Sequence, residues 1–592
     1  MQIKINRNYF WSNIFIDQLV EYGVKYACIS PGSRSTSLTY AISQNNKIKS
    51  FVIIDERTSG FFALGISKQT KSPVLIVTTS GTATAELYPA IIEAYQNRVP
   101  LIICTADRPA YMRNTGANQT INQDNIYKNH IRFFYDAGLP KLDVKKIKSF
   151  KENIVKATNI AVSEDIGPVH FNLPFEKPLE PDSFTDSIDE SIISCALPIK
   201  FSVDKQISLK SSLKKDTESI AALLKKNCCG LITIGPGNFS DEFINLLQMF
   251  STKFALPIFA DASSGLAFKA KRITNLISNF DVILRTKEFS KIFTPKIVLH
   301  FGRTATSPRL EEFVKNSKSK RYIINRFGDM FDSSKSSLII KTSEENFLSS
   351  FSDYEFQFKD ESLNKLTSLK SLDTDVDKIK LTSFHNFEKL NETAILLNIL
   401  EAIPPNSNLM IGNSIPIRDL DFFSSILNKN INVFQNRGAS GIDGITSTAL
   451  GICSQSKNPT YLITGDLSFY YDINSLLIAK QNKIPLIVIL INNNGGSIFR
   501  FLPISNHKAV LEKYFLTPTN LSFKKLSEAF EVDYKELKTY QDILNHIKVS
   551  TVRKTTVVYE IKTNSEYSLS VRKKYWAKVN KFVDNFLRNY EA

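Results

Sequence analysis

Short apolar runs recur along this chain, and most of them stop at a turn built from Gly, Ser, Thr, Asn or Asp. Lys25 to Ile29, Phe51 to Ile54, Val74 to Thr78 and Leu101 to Thr105 are brief and bounded by such turns, which predicts buried strands. Between them the apolar spacing becomes helical: Phe10, Ile14 and Leu19 within 9–22, a helix from about Ser37, and one through Phe61 and Leu64. Strand and helix alternate, so the sheet is parallel and its polar loops gather at the carboxyl ends of the strands. Val169 to Asn172 closes this first unit, and Pro174, Pro178 and Pro181 begin a linker.

The pattern then returns twice. Leu231 to Ile234, Ile258 to Ala260 and Ile297 to Phe301 are the strands of a middle unit. Asn408 to Ile411, Val433-Phe434, Tyr461 to Thr464, Pro485 to Ile491 and Thr555 to Ile561 are those of a third, before a closing helix rich in Lys, Tyr and Phe. Lys315 to about Asp377, rich in Ser, Lys and Asp, reads as an exposed end of the middle unit plus linker. The expected fold is α/β: three doubly wound, mainly parallel-sheet domains at 1–183, 184–375 and 376–592.

Composition narrows the classes. A chain of 592 residues, 43% hydrophobic and 22% charged, is long enough for several cores. No apolar run reaches the roughly 20 residues of a membrane span, and Met1-Gln2-Ile3-Lys4 does not open a signal peptide. Cys28, Cys104, Cys195, Cys228, Cys229 and Cys453 follow no metal or disulfide framework, which suggests a reducing, cytoplasmic setting. The net charge is +16, but lysines such as Lys315, Lys318, Lys320 and Lys335 are spread out. We therefore expect a solvated basic surface and no nucleic-acid partner. Gly235-x-Gly237 lacks the later glycine of a dinucleotide fingerprint.

Chemistry concentrates between Gly465 and Gly496. A strand ends at Gly465-Asp466-Leu467-Ser468, the helix Asp472 to Gln481 follows, and a second strand ends at Asn492-Asn493-Asn494-Gly495-Gly496. Neighbouring strand ends in a parallel sheet would bring Asp466 and Asn493 side by side. An Asp466 carboxylate, an Asn493 amide oxygen and the Gly495 carbonyl suit Mg²⁺, with Mn²⁺ as a substitute, and leave places for two diphosphate oxygens and a water. The plainer alternative is a helix-capping Asp and an Asn-Gly turn.

These two stretches resemble the diphosphate-and-metal motif of thiamine-diphosphate enzymes, departing from it at Leu467, where the family has Gly. Three α/β units in this order are similar to enzymes of the pyruvate-decarboxylase type. The resemblance implies a pyrimidine-binding first domain, a largely structural middle one, and a site shared between subunits of a homodimer or homotetramer. Glu56, at a strand end, then matches the glutamate that engages the pyrimidine ring and activates thiamine diphosphate; its alternatives are pairing with Arg57 or capping a helix. None of His130, His170, His300, His385, His507 and His546 stands out as catalytic.

The polar loops refine the likeness. Ser30 to Ser35, Thr105 to Pro109 with Gly116 to Gln119, Gly412 to Ser414 with Arg418, and Asn436 to Gly444 resemble the branch of the family that joins 2-oxoglutarate to isochorismate on the way to menaquinone. Both substrates are dicarboxylates, which suits Arg34, Arg108, Arg418 and Arg437, assisted by Ser33, Gln119 and Ser414. Ile442 would support the cofactor from beneath beside Leu467 and Ser468, with Ile498, Phe499 and Leu502 as an apolar wall. Surface ion pairs and ordinary core packing are the rival readings of these residues. Some relatives carry a substrate-facing lysine where this chain has Pro308, next to Arg309. An acetolactate-synthase-like carboligase is the alternative activity, and the arginine set argues against it.

Overall fold

The computed structural model describes residues 3–200, 210–226, 229–355, 360–384, 387, 389–550 and 553–591; Cys228 and His385 lie outside them. Three parallel sheets carry the chain. The first contains β1 (Tyr26–Ile29), β2 (Lys49–Val52), β3 (Val74–Thr78), β4 (Leu101–Asp107), β5 (Phe133–Asp136) and β6 (Val169–Pro174), in the spatial order β2-β1-β3-β4-β6-β5. The middle sheet contains β7 (Gly230–Ile234), β8 (Ile258–Ala260), β9 (Ile297–Phe301), β10 (Lys320–Asn325) and β11 (Leu338–Lys341), ordered β8-β7-β9-β10-β11. The third contains β12 (Asn408–Ile411), β13 (Asn432–Phe434), β14 (Thr460–Gly465), β15 (Leu486–Asn492), β16 (Asp533–Glu536) and β17 (Val557–Lys562). Its order, β13-β12-β14-β15-β17-β16, repeats that of the first sheet strand for strand.

Central strands such as β3, β4, β14 and β15 are buried along nearly their whole length, because helices cover both faces. The first and third sheets share one hydrophobic core, in which Phe61, Phe62 and Ile66 meet Ile445, Ala449 and Leu450. The helices Glu56–Thr70 and Ile445–Ser454 cross there at very close range. A Cβ at Gly65 would lie 2.1 Å from the Thr448 carbonyl oxygen, and one at Gly451 2.1 Å from that of Phe62. Only glycine permits that approach.

Three expectations change. The span from Lys315 is structured: β10 and β11 lie in it, and the helix Asp360–Phe384 runs unbroken through position 375, burying Leu366, Leu369, Leu372 and Val376. Its polar composition reflects one solvated face. The stretch after Pro174 is docked, not a free linker: Asn6 and Asn8 donate to the carbonyls of Glu176, Pro178, Glu180 and Ser183, and Ile3–Ile5 pairs antiparallel with Asp186–Ile188. The helix expected at 472–481 begins at Ser475, and a separate short helix, Asp466–Tyr471, precedes it.

Candidate active site

Gly465 pairs in register with Ile491, so Asp466 and Asn493 leave the ends of adjacent strands β14 and β15. Asp466 is 2% exposed. Burial pushes its carboxyl up to about 6, against the backbone N–H groups of Gly495, Asp466 itself and Leu467, while the charge of Glu392 adds to the rise. Asp466 Oδ2 and Asn493 Oδ1 are both buried and accept no hydrogen bond. Leaving a buried acceptor bare costs about 1–3 kcal/mol, and more for a charged one. Two such oxygens at neighbouring strand ends are what a hard cation satisfies. Gly495 has φ +136°, and a Cβ there would fall 2.0 Å from the Leu516 carbonyl oxygen. Its own carbonyl accepts from the Ser497 N–H at 2.9 Å and keeps a second lone pair. Among the described residues no three His, Cys, Asp or Glu side chains converge on a metal position. A mixed Asp, Asn and carbonyl set therefore fits a divalent cation that keeps phosphate and water ligands.

The turn around this set is braced. The helix Asp466–Tyr471 starts at Asp466 itself, so Leu467 has ordinary helical backbone and the family's glycine is not required there. Ser468 Oγ donates to the Ile442 carbonyl at 2.8 Å and leaves the Ile442 side chain 37% exposed. Ile498 and Phe499 lie on the short helix Ser497–Phe501, where Phe499 meets the Phe515 ring edge-on, and Leu502 follows, exposed.

Glu56 is the first residue of the helix Glu56–Thr70, capped by Asp55, whose Oδ1 accepts the Thr58 N–H at 3.1 Å. It is half-buried, and its carboxyl is raised above the usual range by burial, opposed by its own N–H and reinforced by Asp55 and Glu86. Arg57 does not pair with it. That guanidinium donates to the Tyr471 carbonyl at 3.0 Å and lies over the Tyr471 ring. Asp55 in turn accepts from Asn474 at 2.9 Å, so both neighbours of Glu56 grip the segment that follows Asp466.

The four arginines form two pairs. Arg34 donates to the Phe175 carbonyl at 2.8 Å; burial lowers its guanidinium below the ordinary value and the nearby Arg108 lowers it further. Arg108 donates to Ser80 Oγ and to the Gln119 carbonyl, the latter at 2.8 Å, and Gln119 Nε2 returns to the Ser80 carbonyl at 3.0 Å. Ser33 is exposed beside Arg34. On the third domain Arg418 donates to the Ser414 carbonyl at 2.7 Å and is lowered by burial, then by Arg437. Arg437 reaches Asn413 Oδ1 at 3.4 Å. All four thus rest on neutral oxygens, and among the described residues none forms an ion pair, whereas Arg98, Arg113 and Arg572 do. Glu93 holds the Arg437 loop from the first domain, accepting the N–H groups of Gly438 and Ala439 at 2.9 and 2.6 Å. No hydrogen bond or ion pair among the described residues links the Glu56, Ser33, Arg34, Arg108 and Gln119 set to the Ser414, Arg418, Arg437 and Asp466 set within one chain.

Four of the described histidines are occupied elsewhere. His170 bonds Thr105 and His300 bonds Thr233, each pushed down to about 3 by burial. His130 meets Tyr88 OH, His546 donates to the Asp542 carbonyl, and His507 is exposed. Pro308 opens the helix Pro308–Asn316 behind its Ser307 cap. Sequence reasoning missed Glu93 and also Glu392, Asp419 and Arg572, which lie buried behind Asn493. No local motif marks them; only a charge placed at an apolar-facing helical position hints at Arg572.

The chain is similar to known proteins over nearly its whole length. Residues 11–126 match the thiamine pyrophosphate enzyme N-terminal TPP binding domain, and residues 428–561 the C-terminal TPP binding domain. The chain is 34% identical to the 2-succinyl-5-enolpyruvyl-6-hydroxy-3-cyclohexene-1-carboxylate synthase of Listeria innocua, over 95% of this chain and 96% of that protein. Proteins of the same name from Trichodesmium erythraeum and Haloquadratum walsbyi are 33% and 30% identical, covering 94% and 98% of this chain and 96% and 99% of theirs. Among solved structures, benzoylformate decarboxylase from Polynucleobacter necessarius superposes with a TM-score of 0.66 at 16% identity, over 94% of this chain and 98% of that one. A putative thiamin diphosphate-dependent enzyme from Mycobacterium smegmatis gives 0.68 at 14%, over 93% and 99%. These two likenesses concern the fold.

Proposed function

We propose, for a chain that belongs to the thiamine-diphosphate-dependent 2-succinyl-5-enolpyruvyl-6-hydroxy-3-cyclohexene-1-carboxylate synthase family, that its two polar clusters are the halves of one active site. The enzyme removes CO₂ from 2-oxoglutarate and joins the remaining four-carbon unit to isochorismate in menaquinone biosynthesis. Thiamine diphosphate, when bound, supplies the electron sink that decarboxylation needs. Asp466, Asn493 and the Gly495 carbonyl hold its Mg²⁺, with Mn²⁺ as a substitute, and Leu467 and Ser468 flank the diphosphate. Glu56, its carboxyl raised by burial, exchanges a proton with the pyrimidine ring. Arg34 with Arg108, and Arg418 with Arg437, bind the substrate carboxylates, oriented by Ser33, Gln119 and Ser414. Ile442, Ile498 and Phe499 keep water from the reacting carbons.

The proposal includes domains at 1–183, 184–375 and 376–592, a cytoplasmic setting, and a homodimer or homotetramer in which one copy's first domain completes its partner's third. Among the described residues no helix is long and apolar enough to cross a membrane. The observation that carries the reading is the pair of bare buried oxygens, Asp466 Oδ2 and Asn493 Oδ1. It is tested by mass analysis after incubation with thiamine diphosphate, Mg²⁺, 2-oxoglutarate and isochorismate. A product equal to the two substrates less CO₂ is expected, and faster CO₂ release from pyruvate than from 2-oxoglutarate would overturn the assignment.

A further inference from the structure

Asn493 is held from behind by an ion-pair network. Its Nδ2 donates to Glu392 Oε1 at 2.8 Å, and Thr563 Oγ1 donates to the same oxygen at 3.3 Å. Glu392 Oε2 accepts from Arg572 at 2.7 Å. The same guanidinium donates through Nε to Asp419 Oδ1 at 3.0 Å and through its terminal nitrogen to Asp419 Oδ2. Glu392, Asp419 and Arg572 are all buried, and they come from three helices, Glu392–Ala402, Ile415–Phe423 and Ser565–Glu591. Glu392, Asp419, Gly465 and Asn493 line one small cavity, so the network and the cation ligands share a wall.

A primary amide offers an oxygen at one end and two N–H donors at the other, and only the oxygen can ligate a cation. An ionised carboxylate only accepts. Glu392 therefore takes the NH₂ end of Asn493 and leaves Oδ1 on the opposite side, which is the oxygen found bare and buried. Arg572 fixes Glu392 with a charge-assisted bond, and Asp419 fixes Arg572 with a two-pronged one. Two carboxylates against one guanidinium also leave the network with an excess negative charge beside the cation. We propose that Glu392, braced by Arg572, is a positioning residue that presents Asn493 Oδ1 to the divalent cation. This rests on the reading of Asp466 and Asn493 as cation ligands.

The test is a Mn²⁺ titration of the full-length protein in the presence of thiamine diphosphate, with free Mn²⁺ followed by its electron paramagnetic resonance signal. E392A should weaken Mn²⁺ binding about 10–100-fold, the usual cost of losing an outer-shell partner. Should E392A fail to fold, as judged by thermal melting, a donor-acceptor exchange decides. N493D sets two carboxylates against each other and should bind poorly. E392Q/N493D lets the glutamine NH₂ donate to one aspartate oxygen and frees the other, and should bind about tenfold more tightly than N493D alone. E392A binding within about twofold of the unaltered protein, or a double variant no better than N493D, overturns the proposal. D466A separates the premise: Mn²⁺ binding unchanged in D466A removes the cation site and the positioning role together, whereas loss in D466A with retention in E392A removes only the positioning role.

Discussion

Asn474 donates its side-chain N–H to Asp55 Oδ2 at 2.9 Å, joining positions 419 residues apart. Asp55 caps the helix that begins with Glu56, and Asn474 follows the helix that begins with Asp466, so this bond ties, within one chain, the Glu56 half of one site to the Asp466 half of its neighbour. Replacing Asn474 with Ala removes one hydrogen bond worth about 0.5–1.5 kcal/mol, which should lower kcat roughly 3–10-fold while KM for both substrates stays put. Steady-state kinetics would count against the role if KM rose and kcat did not fall.

Glu56 is expected to carry proton exchange alone. Glu56→Gln keeps the shape of the side chain and should cut turnover about 10²–10⁴-fold, while Mg²⁺-dependent binding of thiamine diphosphate, measured by calorimetry, changes little. Retained turnover would exclude Glu56 from the chemistry.

The arginine pairs predict a division of labour. Each charge-assisted bond to a substrate carboxylate is worth about 1.5–3 kcal/mol, so Arg34→Lys and Arg418→Lys should each lower kcat/KM about 10–100-fold, and a lysine cannot restore two-pronged geometry. Varying each substrate in turn shows which pair serves which dicarboxylate. Equal, small effects on both would mean that the arginines are structural.

Lys68 gives a pH test. Its ammonium donates to Asn436 Oδ1 at 2.7 Å beside the Arg437 loop; burial pushes it down to about 8 from 10.5, with Glu93 pulling back and Arg303 adding to the fall. Between these values the unfolded chain keeps a proton that the folded one has released, so stability due to Lys68 rises with pH across that window and is constant below it. Urea unfolding of the unaltered protein should therefore gain about 1–3 kcal/mol on Lys68→Met between pH 7.5 and 10. A flat difference would show that Lys68 titrates alike in both states.

Central strands were legible because a strand covered on both faces must be apolar throughout, as in Leu486–Asn492. Two edge strands were not: Phe133–Asp136 and Asp533–Glu536 are only half-covered and carry no uniform pattern. β10 escaped for another reason, since its lysine- and serine-rich approach hides the buried Tyr322-Ile323-Ile324. In the same way Asp466, Asn493 and the arginine loops sit at strand ends, where short-range spacing reports them. Glu392 and Arg572 act across 180 residues, and Glu392 looks in isolation like a charge on a helix surface. Nothing along the chain signals that the two meet in the dark of the third domain.

The contact at Gly65 and Gly451 sets a mechanical limit. With main chain against main chain and no side-chain layer to compress, the two helices act as a keyed joint. Glu56 stands nine residues before that key on one stiff rod, roughly 13 Å away along its axis. Within one chain the first and third domains thus have no slack to part, which couples the Glu56 of one site to the Asp466 turn of the next.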